Sequence, residues 1–173
     1  LLETILSDNG IVCEYQAIDL MLNRQVLIKK LNKAYFDVAR TPGFPFVESN
    51  GAVNVFSTIV YENELYLVSE LIEGRSIKTY LGSRESVDQI KVISLAISTA
   101  SILAEASELG IHHGNLLPGS IWVDENGAVR ITDFMLYQNI LSGHDTEDKL
   151  CELLDIRYSS SDRLMSLEVS EKN

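Results

Sequence analysis

Few of the side chains able to do chemistry in this 173-residue sequence stand in groups that could act together. His112 and His113 are adjacent, but no cysteine or acidic residue sits near them at a metal-ligand spacing. They read as a strand-end residue and a loop-packing residue, His144 lies in a polar loop, and no metal site is expected. Asn115 carries an amide, which has no basic oxygen at neutral pH and cannot take up a proton. Asp133 follows the apolar run that ends at Thr132, and the plainer reading makes it a loop-turn carboxylate satisfied by nearby backbone N–H groups. Lys29 closes the run Val26-Leu27-Ile28, where one reading is a strand-end lysine in solvent. Thr146 opens an acidic stretch and is best placed as a helix N-cap, with Asp145 as the alternative. Cys13 and Cys151 form neither a CxxC nor a disulfide framework, which fits a reducing, cytoplasmic compartment.

The elements that must hold these residues belong to one compact unit, since 46% of the chain is hydrophobic and its mean hydropathy is +0.07. A net charge of -11 and a pI near 4.6 argue against nucleic acid or anionic lipid as partners, because both are gripped by Lys and Arg. The apolar stretch Val92 to Ala104 carries four hydroxyl residues and falls short of the roughly 18 apolar residues a membrane span needs. A buried helix of a soluble domain is expected there. Leu1 is not a methionine and no leader pattern follows it, so an excised domain of a longer chain is expected.

Residues 11–31 give two β-rich runs split at Asn23-Arg24, a hairpin. A short helix around Lys33 to Ala39 is stopped by Thr41-Pro42-Gly43 and Pro45. A second hairpin pairs Ala52 to Val60 with Glu64 to Leu71 across Glu62-Asn63. Glu73-Gly74-Arg75-Ser76 then breaks the pattern. Ser86 and Gln89 have the spacing of a capping box that opens a long helix running to a Gly110 C-cap. After it come a loop, a strand from Ser120 to Val123, a turn at Glu125-Asn126-Gly127 and a strand from Ala128 to Thr132. Trp122 is either core or an interaction anchor.

This order, with V-L-I-K at Val26 to Lys29, the segment LYLVSELIEGRSIKTYL, HGNLLPGSIWV in the place of H-R-D-L-K-P-x-N-I-L, and ITDFM in the place of the strand leading into D-F-G, resembles the bacterial eukaryotic-like Ser/Thr protein kinases. The resemblance implies an α+β, bilobal protein-kinase-like fold with an antiparallel β N-lobe and a truncated helical C-lobe. It divides the chain into an N-lobe at 1–72, a partial C-lobe at 73–158 and a tail at 159–173. The strand carrying NRQVLI and the altered loops are also similar to the intracellular pseudokinase domain of MviN-type lipid II flippases.

Position by position, the resemblance places Ser7, Asn9 and Val12 where three glycines would cradle phosphate. It places Lys29 as the phosphate-contacting lysine, although no glutamate between Lys30 and Val47 is available to pair with it. In the catalytic loop Gly114 stands for the arginine, Asn115 for the proton-accepting aspartate, Leu117 for the lysine and Ser120 for the metal-binding asparagine. Asp133 keeps the D-F-G aspartate and Met135 replaces its glycine. The expectation is therefore a non-enzyme: a regulatory protein-binding pseudokinase with a cell-wall role, no cofactor and no metal. Any residual ATP and Mg²⁺ binding would fall to Lys29 and Asp133. The alternative is a divergent nucleotide-binding enzyme or a weakly active Ser/Thr kinase using those two residues. Only 40 residues follow Asp133, too few to complete a C-lobe, so an apolar face is expected to be left for a protein partner. That partner could be a phosphothreonine-reading domain if Thr146 is phosphorylated rather than capping.

Overall fold

The computed structural model describes residues 1–32, 44–62, 64–83, 88–136 and 156–158. The first hairpin reverses over Leu20 to Asn23, a turn closed by the polar residues at its ends. In that turn Asp19 Oδ1 accepts from the N–H groups of Met21 at 3.0 Å and Leu22 at 3.2 Å, and Asn23 takes φ +48°. Strands β2 (Val12–Asp19) and β3 (Arg24–Leu31) follow from it, and β1 (Leu2–Asp8) adds to the free edge of β2. With β4 (Val55–Tyr61) and β5 (Glu64–Glu70) they make an antiparallel sheet in the order β1-β2-β3-β5-β4. Strand β5 buries every second residue, Leu65, Leu67 and Ser69, as a half-buried strand must. Leu65 and Leu67 join Val12, Leu31 and Leu136 in one apolar cluster.

The second unit comprises β6 (Gly74–Ser76), α1 (Ile77–Gly82), α2 (Gln89–Glu108), β7 (Ile121–Asp124) and β8 (Val129–Ile131), with the strands in the order β6-β7-β8. Its core gathers Ile102 and Ala106 of α2, Val129 and Ile131 of β8, Phe134, Val47 and Ala52. The segment 44–54 ties the two sheets together, for Val53 donates to the Ile131 carbonyl at 2.8 Å and Ile131 donates to that of Gly51 at 2.7 Å. An ion pair between Arg130 on β8 and Glu70 on β5 adds a second tie. This is the α+β, bilobal arrangement that the sequence implied, with few helices.

Four expectations about local structure need correction. Ala52 does not open a strand but bridges to Ile131, and β4 starts at Val55. The break at Glu73 to Ser76 contains strand β6, which glycine permits: a Cβ on Gly74 would stand 2.3 Å from the Val123 carbonyl oxygen. The N-cap of α2 is Asp88, whose Oδ1 accepts from Ile90 N–H at 3.2 Å; Ser86 lies outside the described residues. Lastly, α2 is not buried. Only Ile102 and Ala106 are, while Ile90, Val92, Ile93 and Ile97 are exposed.

By length and composition α2 is also long and apolar enough to cross a bilayer, with a mean hydropathy of 1.4 over 18 residues, beyond what Val92 to Ala104 suggested. Its packing on β8 through Ile102 and Ala106 makes it part of the domain core. At its C-terminal end Ile111 N–H bonds the Ala106 carbonyl, Gly110 N–H bonds that of Ser107, and Gly110 has φ +72°, a Schellman closure at the expected glycine. The expected short helix at 33–39, the loop at 142–148 with Thr146, the helix from Lys149 and the tail at 159–173 lie outside the described residues.

Candidate active site

The register of the large sheet sets the site. Ser7 on β1 lies opposite Glu14 on β2, Glu14 opposite Lys29 on β3, and Lys29 opposite Leu67 on β5, so these residues form one transverse row. Side chains directly opposite each other in antiparallel strands share a face. Lys29 is only 7% exposed, and its Nζ stands 2.5 Å from Asp133 Oδ1 and 2.9 Å from Glu14 Oε1. Burial alone would lower its pKa, but the carboxylates of Asp133 and Glu14 more than offset this and hold the ammonium above its ordinary value. The solvent-lysine reading is thus corrected. Glu14, on the neighbouring strand, is an acidic partner from outside the span between Lys30 and Val47, most of which lies outside the described residues.

Asp133 takes φ +69° just after β8. Its carboxylate is satisfied by Lys29 and by the Thr132 hydroxyl, which donates to Oδ2 at 3.0 Å, rather than by the backbone N–H groups expected. A cavity of about 20 Å³, room for one water, lies beside the pair and is lined by Lys29, Val55, Leu67, Thr132 and Asp133. The turn from β1 to β2 is closed by its own side chains. Asp8 Oδ1 accepts from Gly10 N–H, and Asn9 Oδ1 accepts from Ile11 and Val12 N–H. Those donors are therefore engaged within the turn. Ser7, Asn9 and Val12, the three altered glycine positions, all belong to this turn or its flanks.

The loop after α2 docks on β8 through His113. Its Nε2 lies 2.8 Å from the Thr132 carbonyl, its Nδ1 is approached by Asn115 N–H, and its ring meets Phe134 at 5.0 Å between centroids. A neutral imidazole with the proton on Nε2 satisfies both contacts. Burial pushes its pKa below the ordinary value, against the opposing pull of the Thr132 carbonyl and Asp133. Gly114 takes φ +82°, and His112 is exposed. Asn115 is 6% exposed, and its Nδ2 finds no hydrogen-bond partner among the described residues. Leu117 and Ser120 join in a turn, Ser120 N–H donating to the Leu117 carbonyl at 2.9 Å, and Ser120 also receives Thr132 N–H at 2.9 Å. Met135 keeps a glycine-like φ of +58°. Trp122 is half-buried, with its indole N–H on the Gly119 carbonyl.

The structure thus brings Lys29 and Asp133 together and places Glu14 and Ser7 in line with them. Sequence reading missed Glu14, although the hairpin register held the signal. Among the described residues no three His, Cys, Asp or Glu side chains converge on a metal position. A single carboxylate still suits Mg²⁺, which takes one or two protein carboxylates and completes its shell with phosphates and water.

The description protein tyrosine and serine/threonine kinase matches residues 45–173. A probable serine/threonine-protein kinase of Clostridium acetobutylicum is 28% identical over 134 residues, 72% of this chain and 20% of that protein. The serine/threonine-protein kinase PrkC of Bacillus subtilis is 24% identical over 141 residues, 75% of this chain and 21% of PrkC. A CBL-interacting protein kinase of Oryza sativa is 33% identical over 99 residues, 56% of this chain and 21% of that protein. The chain spans about one fifth of the length of these relatives. The expectation of a non-enzyme, drawn from Asn115, is overturned by them, since each is named as a kinase and the matched segment contains both Asn115 and Asp133. With the match extending over most of its length, the chain belongs to the protein tyrosine and serine/threonine kinase family.

Proposed function

We propose that this chain is a divergent kinase domain that binds a nucleoside triphosphate through Lys29 and Asp133 and transfers phosphate slowly to a hydroxyl. The observation that supports this reading is the buried Lys29–Asp133 pair, 2.5 Å apart where the two sheets meet. Phosphoryl transfer demands little covalent chemistry of the protein, so positioning and charge carry most of the catalysis. Both charged groups needed for that work are present.

Lys29 supplies the positive charge that holds phosphate oxygens and offsets negative charge in the transition state. Asp133 is the carboxylate that would hold Mg²⁺, whose chemistry is to neutralise the phosphates. His113 fixes the loop against Thr132 and thereby sets where Asn115 stands. The unpartnered Nδ2 of Asn115 can donate a hydrogen bond to an acceptor oxygen, but the amide cannot remove its proton. That proton must leave to water or to phosphate, and losing a positioned base slows such a step by about 10²- to 10⁴-fold.

A thermal-melt titration tests the reading. Mg²⁺–ATP is expected to raise the melting temperature with nucleotide concentration, and Lys29→Met and Asp133→Ala should each remove the effect. Absence of any shift at millimolar Mg²⁺–ATP would sink the proposal.

A further inference from the structure

Lys29 is held from two sides, and the two partners have different prospects once nucleotide enters. Asp133 must release the ammonium to reach a metal, whereas Glu14 has no competing task. Glu14 is fixed by register, directly opposite Lys29, and its second oxygen is engaged: Oε2 accepts from Ser7 Oγ at 2.7 Å. The contacts run Ser7 to Glu14 to Lys29 to Asp133, from the phosphate-loop turn across two strands to the end of β8.

We propose that Glu14 on β2 is the positioning residue for Lys29, keeping the ammonium in the cleft when Asp133 turns to a nucleotide-bound metal. A buried ammonium left alone would swing out to water or lose its proton, because burial disfavours the charged form. Glu14 prevents this without contributing to the reaction itself. Ser7 acts one step further back by orienting the Glu14 carboxylate.

The inference rests on the nucleotide-binding reading, and two measurements separate their failures. The first is the affinity for a fluorescent ATP analogue with Mg²⁺. Glu14→Ala is expected to weaken binding roughly tenfold or more, as for loss of a hydrogen bond to a charged group. Glu14→Gln, the gentler change, should fall between, and Glu14→Asp should recover part of the loss. If Glu14→Ala and Glu14→Gln bind the analogue as tightly as the parent or tighter, Glu14 merely repels phosphate and the inference fails.

The second measurement needs no nucleotide: amine acetylation followed by mass spectrometry in an Asp133→Ala background, where Lys29 should stay protected and be labelled several-fold faster once Glu14→Ala or Glu14→Gln is added. A parent that binds no analogue sinks the nucleotide reading alone. Unchanged Lys29 labelling in both variants sinks the role of Glu14.

Discussion

The β-sheet side of the cleft and the loop facing it handle buried polar groups in opposite ways. On the sheet side the buried charge is matched, with Lys29 between two carboxylates and Glu14 held in turn by Ser7. On the loop side Asn115 is as deeply buried, yet its Nδ2 donates to nothing among the described residues. An unpartnered buried donor costs about 1–3 kcal/mol, whereas in a buried ion pair mutual attraction offsets much of the desolvation penalty and the large loss comes when one partner is removed. The difference teaches that the half carrying Lys29 and Asp133 is built to hold charge and the loop half has an unfilled hydrogen-bonding capacity.

That contrast is most directly broken by Asn115→Asp, which restores a carboxylate to the loop. Incorporation of labelled γ-phosphate into a generic protein substrate should rise by about 10²- to 10⁴-fold. No rise would mean that the loop's defect lies in Gly114, Leu117 or Ser120 instead. Next in size, Asp133→Ala leaves Lys29 with Glu14 as its one remaining carboxylate partner and should lower the unfolding free energy in urea by about 3–5 kcal/mol. A loss below about 1 kcal/mol would show that Glu14 alone satisfies the lysine. Glu70→Gln weakens a more exposed pair, with Arg130, and should cost only about 0.2–1 kcal/mol in the same assay.

The smallest effect concerns pH. Burial holds the His113 pKa below its unfolded value, so the unfolded chain binds more protons as pH falls below about 6.5. The stability that His113 contributes is complete above that value and is lost on acidification until pH drops below its folded pKa. Comparing urea unfolding at pH 7.5 and pH 5.5 for parent and His113→Gln should show the smaller pH dependence in the variant. An equal dependence in both would assign the acid sensitivity to other groups.

Both hairpins were legible because turn residues divide runs of alternating apolar character, and the Gly110 helix end was legible because glycine takes the left-handed turn there. Strand β6 was not, since three residues around a glycine carry no period, and only β7 beside them makes a strand of that segment. The exposure of α2 was illegible for a related reason: apolar composition says that a surface wants cover, not that it has any. In the site, Lys29 and Asp133 were found through family resemblance, but their contact was not, because 104 residues separate them. Glu14 was within reach. Once Asp19 is set opposite Arg24, counting back along both strands puts Glu14 opposite Lys29, and opposite charges at such positions attract.

The Lys29–Asp133 bond also governs how a ligand can arrive. On the proposed reading, a metal-bound nucleotide would not add to vacant groups but would displace one member of an existing couple, so only molecules in which that couple has momentarily parted would be competent to receive it. Observed affinity is then the intrinsic affinity scaled down by that competent fraction, and anything that shifts the fraction tunes the domain without touching the ligand.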